Sequence, residues 1–237
     1  MKKRLRIFGA RVRASMVVDA VFWHFSDEIE IDGYYEDRPP AGGIGPGGHP
    51  VLGTVADGLA QLPGSGCCAF IAMGTRASAR ACETFLKLQE SGVEVVSLIS
   101  PRAHISPSAR IGQNAFVFPG VFVGCQAEIG HLLCAHAGAV IEHHCRVGHN
   151  VLVASGAMLA GFVKIGSHSF IGSGSTLVPE VEVGSGTLLG AGSLVTRNIP
   201  ASVIAFGQPA VAVREVRSGD EVPLAQDVVR LASLGLG

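Results

Sequence analysis

The chain has 237 residues, 32 of them glycine, with 16% charged residues and a formal net charge of −1. This length suits one or two domains, and glycine with so few charges fits a packed scaffold rather than disorder. The charge balance leaves no footprint for nucleic acid or an acidic membrane. Of the six cysteines, Cys67 and Cys68 are adjacent, and Cys125, Cys134 and Cys145 form no Cys-x-x-Cys pair, so reduced and mostly buried thiols are expected.

The N-terminus is basic, and its apolar stretch is cut by Arg11 and Arg13, which argues against a signal peptide. With no run suited to a membrane span, a cytoplasmic protein is expected. From there Leu5 to Phe8 reads as a strand, Ala14 to Phe25 as a helix, Glu28 to Tyr35 as a strand, and Pro39 to Pro50 as an open loop. Val55 to Leu62 then reads as a helix, Cys67 to Met73 as an apolar strand, Arg76 to Glu90 as a helix and Val93 to Ile99 as a strand. Alternating strands and helices predict a small parallel α/β sheet over residues 1–100. Ligands of such sheets bind at the carboxyl ends of strands. Those ends are Gly9-Ala10, Glu36-Asp37 and Gly74-Thr75, each of which also reads as an ordinary turn.

A different rhythm fills residues 101–214. From Ile105 to Val195 every sixth residue is aliphatic, Ala135 being the only small one. The residue four further on is usually small or apolar, and the one directly following is often glycine, as at Gly112, Gly124, Gly130, Gly148 and Gly166. This hexapeptide repeat predicts a parallel β-helix, three sixes to a coil. Like side chains then stack above one another at roughly 4.8 Å per coil. The glycines are expected to supply positive φ at tight corners.

Three segments carry a resemblance: VIEHHC at Val140 to Cys145, LAGFVKIG at Leu159 to Gly166, and GQPA at Gly207 to Ala210. With the preceding small Rossmann-like domain they resemble the sialic acid O-acetyltransferase and bacterial nucleotide-sugar N-acetyltransferase family, over roughly Arg4 to Arg214. The resemblance implies a left-handed β-helix, a hand that spacing cannot supply, and a homotrimer. It also implies transfer from acetyl-CoA, without a metal, to a nitrogen or oxygen of a nucleotide-linked (amino) sugar in surface polysaccharide or glycan biosynthesis. In that family a histidine takes the proton of the attacking amine or hydroxyl, and the matching residue is His143. A base near neutral pH and an oxyanion donor are what any acyl transfer needs.

Gly161 lies one coil beyond His143 and is expected beside it with its N–H available; a side chain there is expected both to disfavour the backbone and to crowd the thioester. The resemblance further implies coenzyme A contacts at Leu152, Gly161, Ser173 and Ala191, and nucleotide contacts at Glu36, Asp37 and Gly74, to which the strand-end rule adds Gly9, Ala10 and Thr75. Two departures stand out. His144 occupies the place of a family acid, and the family's Gly-x-Ser-Gly-His-Gly first loop is here Gly9-Ala10-Arg11-Val12-Arg13-Ala14.

Three other readings remain open. A γ-carbonic-anhydrase-like zinc site is suggested by His131 with His136 and His144 with His149, although the positions two coils before the latter pair are Ser108 and Gln113. A non-catalytic β-helix scaffold would not need the cluster Glu142-His143-His144. A nucleotidyltransferase fused to a β-helix would need a larger first domain and a glycine-rich loop. His24, His49, His104 and His168 read as turn or exposed histidines, and Pro223 to Leu234 in the 215–237 tail reads as an amphipathic segment.

Overall fold

The computed structural model describes residues 2–74, 78–217 and 220. Thr75 and the Pro223 to Leu234 segment lie outside the described residues. The chain divides into two compact units, Met1–Leu98 and Ile99–Gly237.

The first unit is an α/β sheet built from β1 (Lys3–Phe8), α1 (Val12–Ala20), β2 (Ile29–Tyr35), β3 (Val51–Gly53), α2 (Val55–Gln61), β4 (Cys68–Ile71) and α3 (Ser78–Glu90). All pairings in it are parallel, in the order β3-β2-β1-β4. Leu5, Ile7, Phe8, Tyr34, Tyr35, Phe70 and Ile71 are buried, as expected of parallel strands covered on both faces. The chain runs outward through β2 and β3 and then returns to the other side of β1. The crevice at that reversal lies between the ends of β1 and β4, where doubly wound sheets take their ligands. There Gly9 has φ +103° and approaches the Ala72 carbonyl so closely that a Cβ would lie 3.2 Å from it.

The elements differ from expectation in three places. The helix expected from Ala14 to Phe25 starts at Val12 and ends in a widened π turn, Val21–Phe25. The loop between Pro39 and Pro50 closes on itself through an Ile44–Pro50 bridge and delivers β3, an edge strand too short to show a period. The strand expected over Val93 to Ile99 reduces to one bridge, Ala69–Val95, and the two-residue strand Leu98–Ile99. α2 begins with a capping box: the Thr54 hydroxyl accepts the Asp57 N–H at 3.1 Å while the Asp57 carboxylate accepts the Thr54 N–H at 2.8 Å.

The second unit is the parallel β-helix. Two-residue strands recur every six residues from His104–Ile105 to Leu194–Val195. Each pairs with the strand eighteen residues away, as Arg146 with Glu128 and with Lys164. Three parallel sheets result. The aliphatic column from Val117 to Val195 and the small residues Ala115, Ala127, Ala139, Cys145 and Ala157 form one continuous buried core. A final hairpin, Val203–Gly207 with Ala210–Glu215, places the GQPA segment at its turn.

The glycines directly following each aliphatic residue serve a different purpose from the one expected. At Gly112, Gly148 and Gly166 φ is not left-handed, and an added Cβ would sit 2.7, 2.5 and 2.3 Å from atoms of the next coil. They are glycines because the coils touch there. The left-handed residue comes two positions later and is often not glycine: Asn114, Gln126, Leu132, His144, Asn150, Phe162, His168 and Glu180 all have φ between 53° and 65°.

Candidate functional site

His143 and His144 occupy the turn between strands Val140–Ile141 and Arg146–Val147. One coil on, Gly161 and Phe162 occupy the same turn after Met158–Leu159. The two turns are tied directly, since the Phe162 N–H donates to the His143 carbonyl at 3.1 Å. Ile141 and Cys145 point into the core at 0% exposure, which leaves both imidazoles half-buried on the rod's surface. His143 Nδ1 lies 3.2 Å from His144 Nδ1, so one of the two nitrogens carries the hydrogen and the other accepts it.

Gly161 is where its spacing places it. A Cβ on it would fall 2.5 Å from Cε1 and 2.7 Å from Nε2 of His143, so the imidazole rests on the bare Cα. Its φ is not left-handed. The expected backbone objection to a side chain therefore does not hold, and the obstruction is the His143 ring itself.

The Gly161 N–H also differs from its counterparts on another corner. There the Gln113 N–H donates to His131 Nδ1, the His131 N–H to His149 Nδ1, and the His149 N–H to the Ser167 hydroxyl, each at 3.0 Å and each to a side chain one coil on. One coil on from Gly161 stands Pro179, which has no such acceptor.

Three further histidines, His131, His149 and His168, are structural. His131 and His149 are stacked with centroids 5.3 Å apart, and both are buried. His168 is a turn residue as expected, with φ 63°, and its ring is buried at 2% exposure. The Asn150 amide nitrogen lies 3.1 Å from its Nδ1. Burial, with a further contribution from His149, pushes His131 and His168 down to about 4, and burial lowers His149 as well.

An unfolded histidine titrates near 6.5, so between about pH 6.5 and 4 the unfolded chain binds more protons than the folded one. Stability from these groups is therefore complete above about pH 6.5 and is lost as the pH falls toward 4. His168 alone accounts for roughly 3 kcal/mol of that loss. Urea melts at pH 7.5 and 4.5 should show it, and His168→Asn, which suits the left-handed backbone, should flatten the dependence. An unchanged slope in that variant would remove His168 as a cause.

At the strand ends of the first unit the acidic pair is already engaged. Glu36 accepts the N–H groups of Ala10 at 3.2 Å and Arg38 at 3.1 Å, and lies 3.8 Å from Arg11. Asp37 accepts the Val55 N–H at 3.0 Å and pairs with Arg80 of α3. Asp37→Ala should thus loosen the start of α2 and lower stability by about 1 kcal/mol, read as a lower Tm. An unchanged Tm would mean that the contact contributes nothing. In the altered first loop, Arg13 donates to the Met73 carbonyl at 2.6 Å and fastens α1 to the end of β4. Gly74 is exposed and Ala10 buried.

Ser173 and Ala191 lie exposed on one corner, a coil apart. Leu152 belongs to the sheet leading into that corner, and is 9% exposed. His143 and Gly161 occupy a different corner, across the sheet that contains Val140–Ile141 and Thr176–Leu177. Among the described residues no group of three His, Cys, Asp or Glu side chains is placed to hold a metal ion.

A half-buried imidazole resting on a glycine of the next coil puts a proton acceptor beside a backbone N–H, the two groups that acyl transfer needs. Residues 162–197 match the family described as bacterial transferase hexapeptide (six repeats). The structure is similar to PerB from Caulobacter crescentus, solved with CoA and GDP-perosamine, with a TM-score of 0.79, 30% identity, and coverage of 88% of this chain and 96% of that one. It is also similar to the acetyltransferase domain of PglB from Neisseria gonorrhoeae, solved with acetyl coenzyme A: TM-score 0.77, 26% identity, 90% and 100% coverage. WeeI from Acinetobacter baumannii shares the fold at TM-score 0.74 and 23% identity, over 90% of this chain and 100% of that one. No curated protein matches the chain in sequence. The chain belongs to the hexapeptide-repeat nucleotide-sugar N-acetyltransferase family, acyltransferases that draw on acetyl-CoA, and its β-helix is left-handed like theirs. No helix among the described residues is long and apolar enough to cross a membrane.

Proposed function

We propose that the protein transfers the acetyl group of acetyl-CoA to the amine of a nucleotide-linked amino sugar, with His143 as general base. The reading is carried by the His143 imidazole resting on Gly161 with its Nδ1 on His144. For Nε2 to accept a proton, neutral His143 must carry its hydrogen on Nδ1 and donate it to His144 Nδ1, which requires the neutral His144 tautomer protonated at Nε2. The imidazole thus replaces the carboxylate that the family resemblance implies at position 144.

The sugar amine attacks the thioester carbonyl and gives its proton to His143 Nε2. The developing oxyanion accepts the Gly161 N–H, since Pro179, one coil on, offers no side-chain acceptor to compete for it. The tetrahedral intermediate collapses, the C–S bond breaks, and the coenzyme A sulfur leaves as the thiol with the proton returned from His143. Ser173, Ala191 and Leu152 are assigned to coenzyme A. Because their corner is not the one carrying His143, we assign the complete site to two rods of a homotrimer, each supplying one corner. Light scattering should then give three chain masses, and a monomer at micromolar concentration would refute the assembly.

Glu36, Asp37, Gly9, Ala10 and Gly74 are assigned to the nucleotide, on the strand-end rule. GDP, UDP or dTDP at a hundred times its Kd should stabilise the fold by about 2.7 kcal/mol. The zinc reading is disfavoured because His131 and His149 already accept backbone N–H groups through Nδ1 and are buried.

The decisive experiment incubates the protein with acetyl-CoA and GDP-, UDP- or dTDP-linked 4-amino sugars and follows thiol release together with the mass of the sugar nucleotide. Gain of one acetyl group per thiol released is expected. Thiol release without acetylated sugar, or no reaction with any amine acceptor, would overturn the reading.

A further inference from the structure

The left-handed corner position is filled differently from one edge of the rod to the next. On one edge of the rod it is glycine in five successive coils, at Gly120, Gly138, Gly156, Gly174 and Gly192. On the edge that carries His143 it is Gln126, His144, Phe162 and Glu180, with φ of 54°, 57°, 64° and 65°. A bulky aromatic is strained in that conformation, and strain of this kind collects where function requires it. Burial does not offset it, because Phe162 remains 47% exposed.

The phenylalanine ring stacks instead. It lies 4.8 Å from the His144 ring at an interplanar angle of 22°. His143 meets both members of the stack nearly edge-on, 5.2 Å from Phe162 at 87° and 5.4 Å from His144 at 84°. The three centroids form an almost regular triangle in which His143 is braced by one ring from its own turn and one from the next coil. His144 is half-buried on the surface, and a ring so placed is free to turn about its side-chain torsions unless packing selects one rotamer. Phe162 covers its face.

We propose that Phe162 is a positioning residue for acetyl transfer: its stacking fixes the His144 ring so that Nδ1 meets His143 Nδ1, which in turn holds His143 in the tautomer that presents Nε2 to the incoming amine. The proposal rests on the assignment of His143 as general base. Small displacements of a catalytic group cost on the order of 10²-fold in rate, and Phe162 acts at one remove through a single hydrogen bond. A loss of roughly 10- to 100-fold in kcat is therefore expected when its ring is removed.

Phe162→Gly is the informative substitution, because glycine prefers the left-handed backbone that phenylalanine strains. A residue held for stability would lower Tm when removed. Here Tm should stay equal or rise while kcat falls 10- to 100-fold, with KM for acetyl-CoA and for the sugar nucleotide within twofold of the parent. Phe162→Leu, which keeps bulk without the ring, should lose kcat similarly, and Phe162→Tyr should restore it. Nitrogen NMR of His143 should show a single tautomer in the parent and Phe162→Tyr, and a mixture in Phe162→Gly.

Normal kcat in Phe162→Gly or Phe162→Leu, beside an inactive His143→Ala, would overturn the positioning role and leave His143 as the base. A raised KM for acetyl-CoA at constant kcat would also overturn it, by making Phe162 a donor contact. Activity in His143→Ala would remove the base assignment and the proposal with it.

Discussion

His143→Ala is expected to lower kcat by about 10²- to 10⁴-fold, while Tm and coenzyme A affinity stay close to the parent values. The first half follows from the proposed proton path from the attacking amine to His143. Nε2 lies over Gly161, and Nδ1 is committed to His144. The second half follows from packing: the core at this coil is made by Ile141, Cys145 and Leu159, all at 0% exposure. Removing a half-buried surface ring therefore opens no cavity among them. Steady-state kinetics with thermal melts and coenzyme A titration would check both halves. Near-normal kcat would end the assignment of His143, whereas a large fall in Tm would mean that the ring supports the turn.

The rod was legible because its physics is one-dimensional. A strict six-residue period can be satisfied only by stacking, so the columns His143–Gly161 and Ser173–Ala191 follow from counting eighteen. The first unit was legible where apolar runs were long, as in β1 and β4. It was misread at Val93 to Ile99, where an apolar run makes one bridge before a short strand, and β3 went unread because its three residues carry no period.

What counting could not supply was direction within a turn. Gly112 and Gly166 looked like left-handed corners and are contact points between coils, while His144 and Phe162 looked like ordinary turn side chains and hold the left-handed positions. Their stacking against His143 depends on that geometry. One signal was present: a phenylalanine directly after Gly161, eighteen residues beyond a histidine. Likewise the pairing of Asp37 with Arg80 and the Val55 N–H joins segments whose proximity no local pattern encodes.

Gly161→Ala tests the contact between coils most severely. Its φ tolerates a side chain, so the backbone should form normally. The new Cβ would nevertheless lie 2.5 Å from Cε1 and 2.7 Å from Nε2 of His143, closer than carbon and nitrogen can approach. The half-buried ring is the part free to yield, and it must swing off the position from which Nε2 faces the amine. A displacement near 1 Å is enough for about a 10²-fold loss, so kcat should fall at least that far while the Gly161 N–H, unchanged by alanine, remains able to meet the oxyanion. The double variant with His143→Ala separates the two roles. If position 161 acts through the imidazole, Gly161→Ala should cost almost nothing further once the ring is gone, since coupled residues are not additive. An equally large loss in the double variant would show that the methyl blocks the thioester itself, and near-normal kcat in Gly161→Ala alone would show that His143 does not rest on this glycine during turnover.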